Sequence, residues 1–191
     1  MREKDFRMSR VTGVPALYKG EYLDEIKARN EEQHVYQKKL LELLKGEWWC
    51  LTVLGTVGNG KTLFASGLVN QYNYNKPYDA LFVEMYRLMD ELKATFTDSD
   101  RSEFSVIQKY CEIPLLVIDE IKAGNEWTEY SKNVIQRILV ARHASGKRTV
   151  IIGNIAVDVF RKMFDEHVIS RLREGETHIM RAPDMRVHGV L

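Results

Sequence analysis

Apolar residues follow two alternating patterns along the chain, continuous runs and spacings of three and four positions. The continuous runs predict five β-strands, at 48–54, 80–85, 115–118, 149–154 and 177–182. The helical spacings predict helices at 22–44, 61–72, 86–96, 102–110, 127–144, 157–164 and 168–173. Continuous apolar runs are typical of parallel strands covered on both faces, and alternating strands and helices build such sheets. The pattern therefore predicts an α/β fold with a parallel five-stranded sheet and helices on both faces.

Three of the predicted strands end next to residues that can bind a ligand or take part in a reaction. Gly55 follows the first strand, Asp119 follows the third, and Asn154 stands at the tip of the fourth. The carboxyl ends of parallel strands lie along one edge of a sheet, where open α/β folds bind their ligands. We therefore expect these three positions to meet at one crevice.

Residues 55–62 read GTVGNGKT, which matches the phosphate-binding pattern G-x-x-x-x-G-K-T. Glycines let the backbone curl its N–H groups toward phosphate oxygens, and the following helix adds its positive N-terminus. Lys61 is predicted to reach the β- and γ-phosphates, and the Thr62 hydroxyl to ligate Mg²⁺. The motif thus predicts ATP and Mg²⁺ as ligands. The predicted ATP-binding residues in it are Gly55, Gly58, Asn59, Gly60, Lys61 and Thr62.

The third strand ends as a Walker B motif, four apolar residues followed by Asp119 and Glu120. Asp119 is predicted to hold Mg²⁺ together with Thr62, and Glu120 to orient or deprotonate the attacking water. Asn154 is predicted to face the γ-phosphate and that water. Taken singly, the acidic pair also fits an exposed turn, and Asn154 fits a turn-forming asparagine.

The composition is that of a globular protein, with 45% hydrophobic and 29% charged residues. Its net charge of +1 means that nucleic-acid contact would require a local basic patch. The N-terminus has no apolar core of a signal peptide, and no run is long enough for a membrane span. Cys50 and Cys111 lie in apolar surroundings, which favours reduced thiols. These features predict a cytoplasmic protein without membrane contact.

The phosphate loop, the segment LLVIDEI at 115–121 and the segment SRL at 170–172 together resemble AAA+ ATPases of the DnaC/IstB family. That family includes bacterial and phage helicase loaders and transposition helper ATPases. The resemblance implies a single AAA+ domain at 11–191 after a short arm at 1–10, with little or no C-terminal lid domain. It favours a phage or prophage source.

The same resemblance assigns roles to single residues. It makes Arg171 the arginine finger, Asn154 sensor 1 and Arg186 the sensor 2 arginine that contacts ATP. An arginine finger inserts into a neighbouring subunit's site, so the resemblance implies a homo-oligomer with sites at subunit interfaces. From the residues alone, the arginines at 171 and 173 are equally consistent with two solvated charges.

The family also carries a helical insertion between its second and third strands, with which it contacts single-stranded DNA. Residues 86–110 have the length for this insertion. Its candidate DNA-phosphate contacts are Arg87, Lys93, Arg101 and Lys109. Tyr86 and Phe96 are possible stacking faces. A solvated helix pair explains the same residues.

These inferences converge on an ATP-hydrolysing, Mg²⁺-dependent helicase loader that acts in DNA replication. Its expected partners are single-stranded DNA and a replicative helicase. A transposition helper ATPase, with a transposase as partner, shares every motif. An adaptor that competes with a host loader is a third interpretation, although the intact Lys61 and Glu120 argue for retained chemistry. A small-molecule kinase would need an acceptor pocket and lid, and an ABC-type ATPase would need an LSGGQ-like signature.

Overall fold

A parallel β-sheet forms the centre of the computed structural model, which describes residues 12–97, 100–124 and 127–181. Its strands are β1 (Cys50–Gly55), β2 (Ala80–Glu84), β3 (Leu115–Ile121), β4 (Arg148–Gly153) and β5 (Glu176–Met180). They lie in the order β2-β3-β4-β1-β5, and every neighbouring pair is parallel. The predicted α/β fold with a five-stranded parallel sheet is confirmed.

Helices cover both faces of this sheet. After a short 3-10 turn at Ala16–Tyr18, they are α1 (Glu31–Lys45), α2 (Lys61–Asn75), α3 (Met85–Ala94), α4 (Glu103–Glu112), α5 (Glu129–Ala144), α6 (Val157–Met163) and α7 (Glu166–Leu172). Side chains of α1 and α2 form one core with Leu51 and Val53 of β1. Side chains of α3 to α7 form the other core with Cys50 and Leu54. Because successive strand residues face opposite sides, one apolar run supplies both cores.

The first helix is shorter than its sequence pattern predicted. It begins at Glu31, where the Asn30 side chain caps it by accepting the Gln33 N–H at 2.9 Å. Residues 22–30 are not helical, because side chains of neighbouring helices bind backbone groups of this stretch. Gln37, for example, donates to the Ile26 carbonyl at 3.0 Å. The 22–30 segment instead contributes Leu23 and Ile26 to the core beneath α1 and α2.

The topology brings the predicted strand ends together. β4 lies between β1 and β3, so Asn154 stands between the phosphate loop and the acidic pair. β3 also continues past its predicted end at Ile118 to Ile121, which places Asp119 and Glu120 within the strand. The domain boundaries at 10 and 191 remain predictions, because 1–11 and 182–191 lie outside the described residues. In the part of the chain that the structure describes, no helix has the length and apolar character to cross a membrane.

Candidate nucleotide-binding site

The phosphate loop connects β1 to α2 with a backbone that glycine makes possible. Gly55, Gly58 and Gly60 all have positive φ angles, of 147°, 78° and 93°. A Cβ atom at Gly55 would lie 1.9 Å from the Met180 carbonyl oxygen, so only glycine fits against β5 there. Gly60 is the N-cap of α2 and offers no side chain to the first N–H groups of the helix. Those groups remain suited to bind an anion.

Lys61 lies inside the loop with its ammonium group against main-chain oxygens. Its Nζ donates to the Gly55 carbonyl at 3.1 Å, to the Thr56 carbonyl, and to Asn59 Oδ1 at 2.9 Å. Asn59, itself buried, also donates from Nδ2 to the Met180 carbonyl at 3.2 Å. The asparagine thus joins the lysine to β5 and holds the loop closed around it.

Thr62 and Asp119, the two predicted Mg²⁺ ligands, are in direct contact. The Thr62 hydroxyl donates to Asp119 Oδ2 at 2.7 Å. Burial raises the pKa of Asp119 to about 6, against bonds from Thr62 and the Glu120 N–H that lower it. Among the described residues, no cluster of three or more His, Cys, Asp or Glu side chains could hold a metal. One carboxylate and one hydroxyl fit Mg²⁺, which takes its other oxygens from water and nucleotide phosphates.

Glu120 occupies an unusual backbone conformation beside Asp119. Its φ angle is 60°, in the left-handed region that non-glycine residues rarely adopt. The register between β3 and β4 shifts over the same stretch, between Ile118 and Ile121. The irregularity lets Glu120 line the cleft although it directly follows the buried Asp119. Strained conformations of this kind cluster at functional sites.

The loop, Glu120 and Asn154 line one cleft of about 790 Å³. The exposed Asn154 lines the cleft from the end of β4. A further wall of the cleft comes from the 18–29 stretch that precedes α1. Residues of that wall are Tyr18, Glu21, Glu25, Ile26, Lys27 and Arg29. Sequence analysis missed this wall, because its residues match no motif.

Helix α1 contributes two further residues that sequence analysis did not connect with the site. Gln33 donates from Nε2 to the Asn59 carbonyl at 3.0 Å, and the Tyr36 hydroxyl donates to the Lys61 carbonyl at 3.2 Å. Both side chains are buried, and burial raises the pKa of Tyr36 well above its ordinary value. The sequence pattern indicates only packing for Tyr36. The available signal was a polar Gln33 on the same helical stripe as Tyr36 and Leu40.

The remaining predicted residues lie away from the cleft or outside the described residues. Arg171 is on α7, is absent from the described residues that line the cleft, and donates to the His167 carbonyl at 2.6 Å. The Trp49 indole, next to β1, donates to the Arg171 carbonyl at 3.1 Å. Arg186 lies outside the described residues.

Two helices, α3 and α4, lie between β2 and β3, where the resemblance places the insertion. Three of the candidate DNA contacts on them are paired with carboxylates. Lys93 lies 3.3 Å from Asp90, and Lys109 lies 2.7 Å from Glu91. Arg87 pairs with Glu84, and Arg101 is exposed beside α4. Their role in DNA binding stays a prediction.

Solved structures define the class of this fold. The crystal structure of the DnaC helicase loader superposes with a TM-score of 0.72 at 20% identity, over 87% of this chain and 99% of that one. A replication initiator DnaA bound to AMPPCP and single-stranded DNA gives 0.71 at 15% identity, over 89% and 51%. The fold is a P-loop fold of the AAA+ type.

Relatives of similar sequence are known helicase loaders. The replicative helicase loader DnaC of Escherichia coli (strain K12) is 29% identical over 123 residues, 64% of this chain and 49% of the loader. DnaC of Buchnera aphidicola subsp. Acyrthosiphon pisum (strain APS) is 28% identical over 181 residues, 91% of this chain and 73% of that protein. No model of a known protein family matches the chain. The chain is therefore similar in sequence to DnaC helicase loaders, and it spans about half the length of the Escherichia coli relative.

Proposed function

We propose that this protein is a Mg²⁺-dependent ATPase that loads a replicative helicase onto single-stranded DNA. The observation that carries the proposal is the meeting of four elements at one cleft. The phosphate loop, the Thr62–Asp119 pair, Glu120 and Asn154 come from three adjacent strand ends. This arrangement supplies an anion cradle, oxygen ligands for a metal, a base and a polar amide, as ATP hydrolysis requires.

Phosphate binding follows from the loop. The uncapped N–H groups of α2 and the Lys61 ammonium are hydrogen-bond donors with positive charge. Oxygens of the β- and γ-phosphates would accept hydrogen bonds from both, and for Lys61 they would replace the loop carbonyls. Thr62 Oγ1 and Asp119 Oδ2, 2.7 Å apart, would then share a metal ion instead of a proton. Bound Mg²⁺ would neutralise charge on the β- and γ-phosphates.

Hydrolysis would use the residues at the end of β3 and β4. Glu120 brings a carboxylate to the cleft, and a carboxylate can accept a proton from an attacking water. Asn154, on the adjacent strand, can donate its amide hydrogen to the γ-phosphate or hold that water. Arg171 lies outside its own chain's cleft, so it would act on the cleft of a neighbouring copy.

Helicase loading rests on the relatives, which are named replicative helicase loaders. They support loading over the transposition-helper interpretation. Single-stranded DNA contact rests on α3, α4 and the link between them, where Arg87, Lys93, Arg101 and Lys109 would pair with phosphates. The exposed Phe96 offers a stacking face.

A three-part assay tests the proposal. The wild-type chain is titrated with ATP in the presence and absence of Mg²⁺, and phosphate release is measured with and without single-stranded DNA. Complex formation with the replicative helicase of the source cell is measured by light scattering. We expect Mg²⁺-dependent binding, turnover and an ATP-dependent complex. A chain that binds no ATP would refute the nucleotide site, whereas ATP binding without helicase association would refute loading alone.

A further inference from the structure

We infer that Gln33 is a positioning residue that sets the orientation of the phosphate loop. The inference deepens the proposed function and rests on it. Gln33 lies on the first turn of α1 with 2% of its surface exposed, and its amide is bonded at both ends. Nε2 donates to the Asn59 carbonyl at 3.0 Å, and Oε1 accepts the Arg29 N–H at 2.8 Å.

The bond to Asn59 fixes the direction of one loop peptide. A trans peptide is planar, so its C=O and N–H point in opposite directions. When Gln33 holds the Asn59 carbonyl toward α1, the N–H of Gly60 is turned away from α1. Gly60 lines the cleft, and its N–H is one of the groups that the phosphate loop offers to an anion. Gln33 therefore aims a phosphate-binding group without itself belonging to the motif.

The approach of Gln33 to the loop is close. A Cβ atom placed on Gly60 would lie 2.9 Å from Gln33 Nε2. The glutamine amide thus occupies the space that a side chain at 60 would need, in addition to the positive φ angle there. The loop and α1 are fitted to each other at this point.

The other end of the amide binds the 18–29 wall of the cleft. Arg29, whose N–H binds Oε1, lines that wall together with Lys27. One buried side chain therefore connects the phosphate loop to the 25–29 segment, which lines the same cleft. We conclude that Gln33 preorganises both walls for ATP, which lowers the cost of ordering them on binding.

The chain provides a matched control in Gln37, one turn further along α1. Its Nε2 donates to the Leu23 and Ile26 carbonyls. Gln37 therefore ties the same segment to α1, but within the described part of the chain it makes no bond to the phosphate loop. If substitution of either glutamine weakens ATP binding equally, the cause is the attachment of the 22–30 segment to α1. If only substitution of Gln33 weakens ATP binding, the cause is its bond to the phosphate loop.

The test compares ATP affinity in the wild type, Gln33→Met, Gln33→Glu and Gln37→Leu, with thermal melting of each. Gln33→Met keeps the length of the side chain and removes the bond to Asn59, so we expect about tenfold weaker ATP binding. Gln37→Leu should stay within about twofold of wild type. Equal losses in the two variants, or no loss in Gln33→Met, would overturn the inference.

The Gln33→Glu variant adds a readout that packing alone would not move. The ionised carboxylate that it introduces cannot donate to the Asn59 carbonyl, whereas the protonated acid can. The ratio of its ATP affinity to that of wild type should rise several-fold between about pH 9 and about pH 6.5, above the titration of Asp119. A ratio that does not change with pH would overturn the inference, even if Gln33→Met fails to fold. A wild type that binds no ATP would instead refute the proposed function.

Discussion

The phosphate-loop end of the sheet and the α3–α4 pair use charged residues in opposite ways. At the loop, Lys61 and Asp119 are 4% and 2% exposed, and each is bonded to loop or strand atoms. On α3 and α4, Lys93 and Lys109 are exposed and paired with carboxylates on the surface. Buried charges are costly unless they are fully bonded, whereas exposed pairs contribute only about 0–1 kcal/mol. The loop therefore has a fixed geometry, and the helix pair has a surface whose charges can exchange partners.

The comparison is sharpest at Lys61. Lys61→Ala should reduce ATP affinity by at least about a hundredfold, because it removes the only cation bonded within the described phosphate loop. Calorimetric titration measures the change. Lys27→Ala, which removes the same charge from the rim of the cleft, should lose far less. Equal affinity in the Lys61 variant and wild type would contradict the phosphate-loop assignment.

A second test asks whether the nucleotide site of one chain can hydrolyse ATP without a residue from a neighbouring copy. Arg171→Ala should bind ATP normally and hydrolyse it about 10³- to 10⁵-fold more slowly, if it acts on a neighbour. Mixing it with Lys61→Ala should restore activity, because composite sites then contain both an intact loop and an arginine. Mixtures that co-assemble by light scattering yet stay inactive at every ratio would show that Arg171 does not act across subunits.

Glu120 tests the strained position at the end of β3. Glu120→Gln should keep ATP affinity and slow hydrolysis by about 10²- to 10⁴-fold, because the amide cannot act as a base. Single-turnover phosphate release measures the effect. Glu112→Gln, an exposed carboxylate on α4, serves as the control and should turn over normally. Wild-type turnover in the Glu120 variant would mean that the residue only shapes the register shift between Ile118 and Ile121.

The pKa of Asp119 predicts a pH effect confined to the loop end. Since this pKa is about 6, above the ordinary 3.8, the carboxyl takes up a proton as pH falls below about 6. Mg²⁺-dependent ATP binding should then weaken, by about tenfold for each pH unit below that value.

The stability of the nucleotide-free protein should change in the opposite sense as the pH falls. The folded state binds this proton more tightly than the unfolded chain, so stability relative to Asp119→Asn should increase as pH falls from about 7 to about 5. If the difference in melting temperature between wild type and Asp119→Asn does not change with pH, the raised pKa of the buried Asp119 carboxyl would be contradicted.

The smallest effect is expected on α3 and α4. Lys109→Ala should weaken single-stranded DNA binding by about two- to fivefold and reduce its salt dependence by about one phosphate contact. Lys38→Ala is a matched control, because Lys38 is also ion-paired, to Glu42 at 3.7 Å, but lies on α1 across the sheet. If both variants weaken DNA binding equally, α3 and α4 are an ordinary solvated surface and not a DNA-binding site.

Local sequence determined the strands, the loop and the acidic pair. An apolar run has one favourable place in an α/β fold, and Gly55, Gly58 and Gly60 permit a backbone that other residues resist. The parallel order of the strands then placed Asn154 beside Asp119. The strands, the loop and the acidic pair depend on short-range patterning, so a single sequence was enough to predict them, whereas the order of the strands came from the fold.

Tertiary structure alone decided how the loop is held. The bond from Gln33 to Asn59 spans 26 positions, and that from Tyr36 to Lys61 spans 25. Neither partner carries a pattern that points to the other, because hydrogen-bond partners are chosen by packing and not by spacing along the chain. The non-helical 22–30 segment has the same cause, since its backbone groups are bound by side chains of α1 and α2. The sequence thus predicted which groups would bind phosphate, and the packing of α1 against the sheet decided where those groups point.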